Sequence, residues 1–154
     1  MERSLVLIKP DAVERGLVGE IVSRVERKGL KLVGLKIIQM SDRLLADHYA
    51  HIADRDFYPE LAQFMSRTPI VAMCVEGLDC VATLRRLCGV TRGSEADPGT
   101  IRGDFALSVQ SNLVHASDSL EAAEEEIRRF FGKDEIYDYS LSAEEYTYSS
   151  HEGS

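Results

Sequence analysis

The chain of 154 residues has no tryptophan, only three cysteines and no surplus of basic side chains. Cys74, Cys80 and Cys88 form no C-x-x-C pair, so we predict buried reduced thiols rather than a metal site or a disulfide. The apolar run at residues 5–8 is too short for a signal-peptide core or a membrane span. These absences predict a cytoplasmic protein without a membrane partner.

Acidic residues outnumber basic residues by 26 to 18, and the imbalance lies at one end of the chain. Residues 1–117 carry 15 acidic and 15 basic side chains, whereas residues 118–154 carry 11 and 3. Nucleic acid is held mainly through its phosphates and would be repelled by that end, so no nucleic-acid partner is expected. A small anionic ligand remains compatible with the sequence because a few local cations suffice to bind it.

Apolar residues recur in a pattern typical of two β-α-β units. The predicted strands are residues 5–8, 30–40 (with a bulge or bend near Gly34), 70–75 and 113–114. The predicted helices follow Gly16, Ser41, Asp56, Asp79 and Asp118, the last with Glu121 in a capping-box-like pair. This order predicts one α+β domain over residues 1–154: a ferredoxin-like βαββαβ antiparallel sheet with added helices, its helices on one face. Residues beyond about 134 are expected to form an irregular arm that could pack on a neighbour.

The segment of residues 89–112 is rich in glycine and lacks periodicity, and a connection of that length is usually functional. His115 follows it, between a short strand and a helix start, where an anion such as a phosphate could bind. The alternative is an imidazole that merely hydrogen-bonds the backbone. His48, His51 and His151 are interpreted as packed or surface imidazoles.

Two arginines flank or lie within this segment. Arg85 precedes it and Arg102 lies near its end, and guanidinium groups match phosphate oxygens bidentately. The alternatives are a solvated helix face for Arg85 and a salt bridge with Asp104 or Asp97 for Arg102.

Four segments carry a family resemblance: residues 9–11 (KPD), 16–21 (GLVGEI), 98–105 (PGTIRGDF) and 112–119 (NLVHASDS). They resemble the nucleoside diphosphate kinase family, in order from about residue 3 to about residue 148. The resemblance implies transfer of a γ-phosphoryl group from a nucleoside triphosphate to a nucleoside diphosphate, by a ping-pong mechanism through a phosphohistidine on His115, with broad base specificity. A non-catalytic relative would be expected to lack His115, Lys9 or one of the arginines, all of which are present.

The resemblance also implies roles for individual residues. Glu126 matches the carboxylate that orients the imidazole, although by its setting alone it could be a solvated side chain. The other matches are Ser117 beside that carboxylate, Tyr49 lining the histidine pocket, Lys9 and Asn112 near the ribose 3′-hydroxyl and the transferred group, Arg85, Thr91 and Arg102 on the phosphates, and Phe57, Leu61 and Val109 at the base. Phe57 and Leu61 could equally be core residues.

The family's cofactor and assembly follow from the same resemblance. Mg²⁺ is expected to be held chiefly by the nucleotide phosphates, with Asp118 reaching it through water. Homo-oligomers are expected, with a hexamer favoured over a tetramer or dimer. Residues 91–93 (TRG) lack the proline often found in this loop of the family, which contacts neighbouring subunits, so the sequence leaves these assemblies open.

Overall fold

The computed structural model describes residues 1–152. Its four strands are β1 (Glu2–Ile8), β2 (Lys31–Ile38), β3 (Ile70–Gly77) and β4 (Val114–Ala116). They form one sheet in the order β2-β3-β1-β4, and each neighbouring pair is antiparallel. This order confirms the predicted ferredoxin-like α+β architecture.

Eight α-helices and three short 3₁₀ turns connect and cover these strands in the described part of the chain. The helices are α1 (Pro10–Glu14), α2 (Val18–Arg27), α3 (Asp42–His48), α4 (Tyr58–Ser66), α5 (Cys80–Cys88), α6 (Ile101–Phe105), α7 (Leu120–Phe130) and α8 (Glu144–Thr147). None of them is long and apolar enough to cross a membrane.

Helices cover both faces of the sheet, so the prediction of helices on one face is wrong. Val6 and Ile8 of β1 join a core formed with α1, α2, α5 and α6. Leu5 and Leu7 join a second core formed with α3, α4 and α7. The central strands are apolar on both sides, and a single helix layer would leave one of those apolar faces in water.

The first turns of the helices are capped by hydroxyl side chains at three sites. Ser41 caps α3 as predicted, and Thr100 caps α6 by accepting a hydrogen bond from the Gly103 amide. The predicted cap of the last long helix was one residue too early, because Ser119 rather than Asp118 accepts from the Ala122 amide. That shift leaves Asp118 exposed in the turn after β4.

Two glycines permit close packing that other residues would block. A bulge between Leu32 and Gly34 confirms the predicted irregularity in β2, and a Cβ at Gly34 would lie 2.9 Å from the Phe131 ring. A Cβ at Gly103 would lie 1.8 Å from the Asp97 carbonyl oxygen. The segment of residues 89–112, which showed no periodicity, contains a 3₁₀ turn (Gly93–Glu95) and α6.

The three cysteines are buried and unpaired, which confirms the prediction of reduced thiols. Burial raises the pKa of Cys74 to about 11 and that of Cys80 to about 12, so both remain protonated and inert.

The carboxyl-terminal arm returns to the start of β2 of its own chain. The Tyr137 amide donates to the Val33 carbonyl oxygen at 2.8 Å, and the Lys31 ammonium lies 3.6 Å from Glu144 in α8. The phenol of Tyr139 donates to the Leu32 carbonyl oxygen. Residues 153–154 of the predicted arm lie outside the described residues.

Candidate active site

A histidine, a carboxylate and a hydroxyl meet where β4 faces α7. Val114 and Ala116 point into the first core, so the alternation of the strand turns His115 toward the opposite face, where α7 supplies Glu126. His115 Nε2 lies 3.0 Å from Glu126 Oε1, and Ser117 Oγ donates to Glu126 Oε2 at 2.5 Å. The Leu5 amide of β1 donates to Ser117 Oγ at 3.2 Å. β4 and α7 therefore position His115 and Glu126, and Ser117, just after β4, is fixed by its hydrogen bonds to Glu126 and the Leu5 amide.

The ionisation of Glu126 decides which nitrogen of His115 carries the proton. Burial disfavours the charged carboxylate, but hydrogen bonds from His115 and Ser117 outweigh it and hold the pKa of Glu126 below its ordinary value. An ionised carboxylate accepts a hydrogen bond, so Nε2 of the neutral imidazole carries the proton. The lone pair of Nδ1, which has no hydrogen-bond partner within residues 1–152, is left for reaction.

His48 belongs to this site, although the sequence indicated only an ordinary packed or surface imidazole. It is buried, and its ring meets the His115 ring edge-on at 5.1 Å and the Tyr49 ring at 4.7 Å. Burial lowers the pKa of His48 to about 3, so its ring adds no charge beside His115. The available signal was its spacing from Leu45, since positions three apart in α3 share the buried face.

His48, His115 and Glu126 also place their ligand atoms within 4.8 Å of one another, close enough for a metal ion. Arg129 Nη1 lies 3.2 Å from His48 Nδ1, so a fixed cation stands beside the cluster. Because His115 and Glu126 already pair with each other, this cluster is better suited to orienting the imidazole than to holding a metal.

A second group of polar side chains lies where β1 ends. Lys9 Nζ donates to Asn112 Oδ1 at 2.8 Å and to the Gln110 carbonyl oxygen at 2.6 Å, and Asn112 Nδ2 donates to the Thr91 carbonyl oxygen at 2.9 Å. Burial lowers the pKa of Lys9 to about 8. The Lys9 amide donates to the Leu113 carbonyl oxygen at 2.8 Å, two residues before His115. This group therefore lies at the start of the strand that carries His115.

Arg102 is buried and bonds to main-chain oxygens rather than to an acid. Its three nitrogens donate to the carbonyls of Gly89 at 2.7 Å, Asn112 at 3.1 Å and Val114 at 2.6 Å. Asp104 instead pairs with Arg24 at 2.7 Å, so the predicted salt-bridge alternative is wrong for that acid. Within the described residues, Arg102 makes no salt bridge with Asp97 either. Arg102 joins the two ends of the loop and places a cation beside β4.

Arg85 and Thr91 lie at the exposed rim of this loop. Arg85, in the last turn of α5, borders an open groove with Gly89, Asp97 and Thr100. Its charge is close enough to Arg102 to lower the pKa of that guanidinium, alongside the larger effect of burial. Neither Arg85 nor the side chain of Thr91 contacts His115 directly.

The residues expected at the base lie on two facing segments. Phe57 immediately precedes α4 and is 53% exposed, and Val109 is 48% exposed, so Phe57 is not a core residue. Leu61 packs partly into the second core, as its alternative interpretation predicted. A groove runs between α4 and the loop, lined by Glu60, Gln63, Phe64, Ser66, Arg67, Gln110 and Ser111. Phe57 and Val109 thus offer exposed apolar side chains near α4 and the loop, whereas the groove itself is lined mainly by polar side chains.

Comparison with known proteins gives one consistent result. A family model described as "Nucleoside diphosphate kinase" matches residues 2–136. A nucleoside diphosphate kinase of Parabacteroides distasonis is 51% identical over 141 residues, which is 92% of this chain and 92% of that protein. Human nucleoside diphosphate kinase 3 is 50% identical over 147 residues, which is 96% of this chain and 87% of that protein.

Solved structures of nucleoside diphosphate kinases are also similar to this chain. A halophilic nucleoside diphosphate kinase from Halobacterium salinarum, in complex with CDP, has a TM-score of 0.92 and 43% identity, with 96% of this chain and 98% of that chain covered. A nucleoside diphosphate kinase family protein from Babesia bovis has a TM-score of 0.93 and 38% identity, with 96% and 100% covered.

Proposed function

This chain belongs to the nucleoside diphosphate kinase family, and we propose that it transfers the γ-phosphoryl group of a nucleoside triphosphate to a nucleoside diphosphate through a phosphohistidine on His115. The observation that carries this proposal is the pairing of His115 Nε2 with Glu126 Oε1 at 3.0 Å, which leaves Nδ1 as the nucleophile. Residues 1–154 are proposed to form a single domain of this family.

The transfer takes two half-reactions at one site. His115 Nδ1 attacks the γ-phosphorus; the N–P bond forms as the bond to the bridging oxygen breaks, and the electron pair leaves with the nucleoside diphosphate. A terminal oxygen of the acceptor diphosphate then attacks the same phosphorus, and the N–P electron pair returns to Nδ1. Glu126 and Ser117 hold the ring and stabilise its charge while the phosphoryl group is attached.

Phosphoryl transfer depends on positioning and on neutralising charge. Lys9, Asn112 and Arg102 adjoin His115 through β4 and the turn before it, which supports their proposed contacts with the transferred group and the ribose 3′-hydroxyl. Arg85 and Thr91 at the rim would bind the outer phosphates, and Tyr49 would line the imidazole pocket.

Broad base specificity is proposed from the surface beside this group. Phe57 offers an exposed ring on which any base can stack, with Leu61 and Val109 as apolar neighbours. Stacking on a ring uses the face of a base, which all bases share, rather than the donors and acceptors on its edge. The Halobacterium salinarum relative was solved with CDP.

Mg²⁺ is the proposed cofactor, carried by the nucleotide phosphates. Mg²⁺ prefers oxygen ligands and retains several waters, which suits the single exposed carboxylate of Asp118 better than the two-imidazole cluster. When bound, the ion neutralises phosphate charge, and Asp118 would hold one of its waters.

A homo-oligomer is proposed, a hexamer before a tetramer or dimer. The edge strand β2 exposes two large apolar residues, Leu35 at 53% and Ile37 at 74%. Strand edges with exposed apolar side chains tend to pair with another chain, which supports self-association. The cytoplasmic location stays a prediction from the sequence.

The phosphohistidine is tested with ATP labelled in the γ-phosphate. We expect label on the protein that is lost in acid and kept in base, and none on His115→Ala. The matched control is His51→Ala, which removes an exposed imidazole from the turn after α3 and should label normally. Acid-stable label, or label that persists on His115→Ala, would contradict the proposal.

A further inference from the structure

A strained turn precedes the strand that carries His115. Leu113 has a φ of +75°, one of two non-glycine residues with positive φ in the described chain. The Val114 amide donates to the Asn112 carbonyl oxygen at 2.9 Å, so Leu113 is the central residue of a three-residue γ-turn. Such a turn is unfavourable for leucine and persists only where its surroundings enforce it.

Two residues of the segment after β1 enforce this turn. The Leu113 amide donates to Asp11 Oδ2 at 3.0 Å, and the Leu113 carbonyl oxygen accepts from the Lys9 amide at 2.8 Å. Asp11 is 6% exposed, and its Oδ1 has no hydrogen-bond partner within residues 1–152. A buried carboxylate with one neutral hydrogen bond is costly, which argues for a purpose beyond packing.

We propose, resting on the function proposed above, that Asp11 is a positioning residue for phosphoryl transfer, because its carboxylate holds the turn at Leu113 and thereby places Asn112 and His115. Asn112 is the first residue of the turn and bonds Lys9, and His115 directly follows the last residue of the turn. If Leu113 relaxed to a negative φ, the chain on either side would change direction. Shifts of about 1 Å at reacting groups are enough to lower a rate roughly a hundredfold.

Asp11 also acts on the neighbouring ammonium. Burial lowers the pKa of Lys9 to about 8; the charge of Asp11 opposes that decrease, and the charge of Arg102 adds to it. The remaining groups that face Lys9 Nζ are uncharged: the Phe64 ring of α4 at 5.2 Å, the Gln110 carbonyl and the Asn112 amide. Removal of the negative charge at Asp11 would therefore let Lys9 lose its proton at lower pH.

The test compares Asp11→Asn and Asp11→Ala with the wild type. Asparagine keeps an oxygen acceptor for the Leu113 amide and removes only the charge, whereas alanine removes both. For Asp11→Ala we expect kcat to fall about tenfold or more, equivalent to one lost hydrogen bond to a charged group, with a smaller change in KM. For Asp11→Asn we expect a smaller loss near neutral pH and an alkaline decline of kcat/KM that begins at lower pH.

The matched control is Asp42→Asn, the same chemical change at an exposed position in the first turn of α3. It should leave kcat and the pH profile unchanged. Circular dichroism would confirm folding, and if Asp11→Ala does not fold, the isosteric Asp11→Asn decides alone. Wild-type kcat and an unshifted alkaline decline in the folded variants would overturn the inference. Absence of label on the wild-type protein would instead refute the proposed function.

Discussion

The two halves of the candidate site are held in different ways. His115 in β4 and Ser117 just after it both bond Glu126 of α7, so these side chains are held by contacts with one another on or beside regular elements. Lys9 and Arg102 bond instead to main-chain carbonyls of the segment between α5 and β4, and Arg102 also bonds the carbonyl of Val114 in β4. In the first half the fold positions the side chains, whereas in the second half the side chains hold the fold.

This difference predicts separate consequences for mutation. A substitution among the first three residues removes a chemical role and leaves the backbone in place. A substitution in the second half also releases carbonyl oxygens that are buried, and each unsatisfied oxygen carries its own cost in free energy. Mutations in the first half should therefore lower activity more than stability, whereas mutations in the second half should lower both.

The largest effect is expected for Arg102→Ala. It removes the donors for three carbonyl oxygens and a cation beside His115, so we expect the free energy of unfolding to fall by about 3–5 kcal/mol. We also expect kcat/KM to fall about a hundredfold or more, since Arg102 is a proposed phosphate ligand. Urea unfolding and steady-state kinetics measure the two losses. If Arg102→Ala lost activity but kept its stability, the role of Arg102 in holding the loop would be contradicted. The control is Arg86→Ala, on the exposed face of α5.

Glu126→Gln should reduce activity, with a loss of stability at neutral pH that is smaller than that of Arg102→Ala. The amide can still bond His115 but no longer stabilises positive charge on the ring, so we expect kcat to fall about tenfold to a hundredfold. Glu125→Gln on the exposed side of α7 is the matched control. A kcat equal to that of the wild type would show that Glu126 does not act on His115.

The same variant has a defined effect on acid stability. The pKa of Glu126 in the folded protein lies below its ordinary value of 4.5, so its stabilising contribution is complete above that value and is lost as the pH falls through the lower, folded-state pKa. Thermal unfolding of the wild type and Glu126→Gln should therefore converge as the pH falls below about 4.5. Parallel curves over that range would contradict the lowered pKa.

The smallest effect is expected for Phe57→Ala, because Phe57 belongs to neither half of the candidate site. The ring is exposed, so stability should stay the same, while loss of base stacking should raise KM about tenfold with kcat nearly unchanged. The increase should be similar for purine and pyrimidine nucleotides. A change confined to one base would show that Phe57 sets specificity rather than general affinity.

The strands were predicted well because a short run of apolar residues indicates a buried strand, whichever elements cover it. It misjudged the helix layers, because an apolar run such as residues 5–8 indicates burial on both sides without saying what buries it. His48 was missed for a related reason. Its neighbour in space, His115, is 67 positions away in the chain, and helical spacing alone does not show which residue a buried imidazole will face.

The sequence by itself determined the chemical groups, the element order and the family resemblance, because these depend on local periodicity and on motifs that stand in the chain. Only the tertiary structure decided that Arg102 binds carbonyl oxygens instead of a neighbouring acid, that Asp11 holds the turn at Leu113, and that His48 lies against His115. The contacts of Asp11 and His48 join segments that are distant in the chain, and those of Arg102 depend on how one loop folds back on itself. In each case the partner is decided by distance and burial in space rather than by the nearest complementary charge in the sequence.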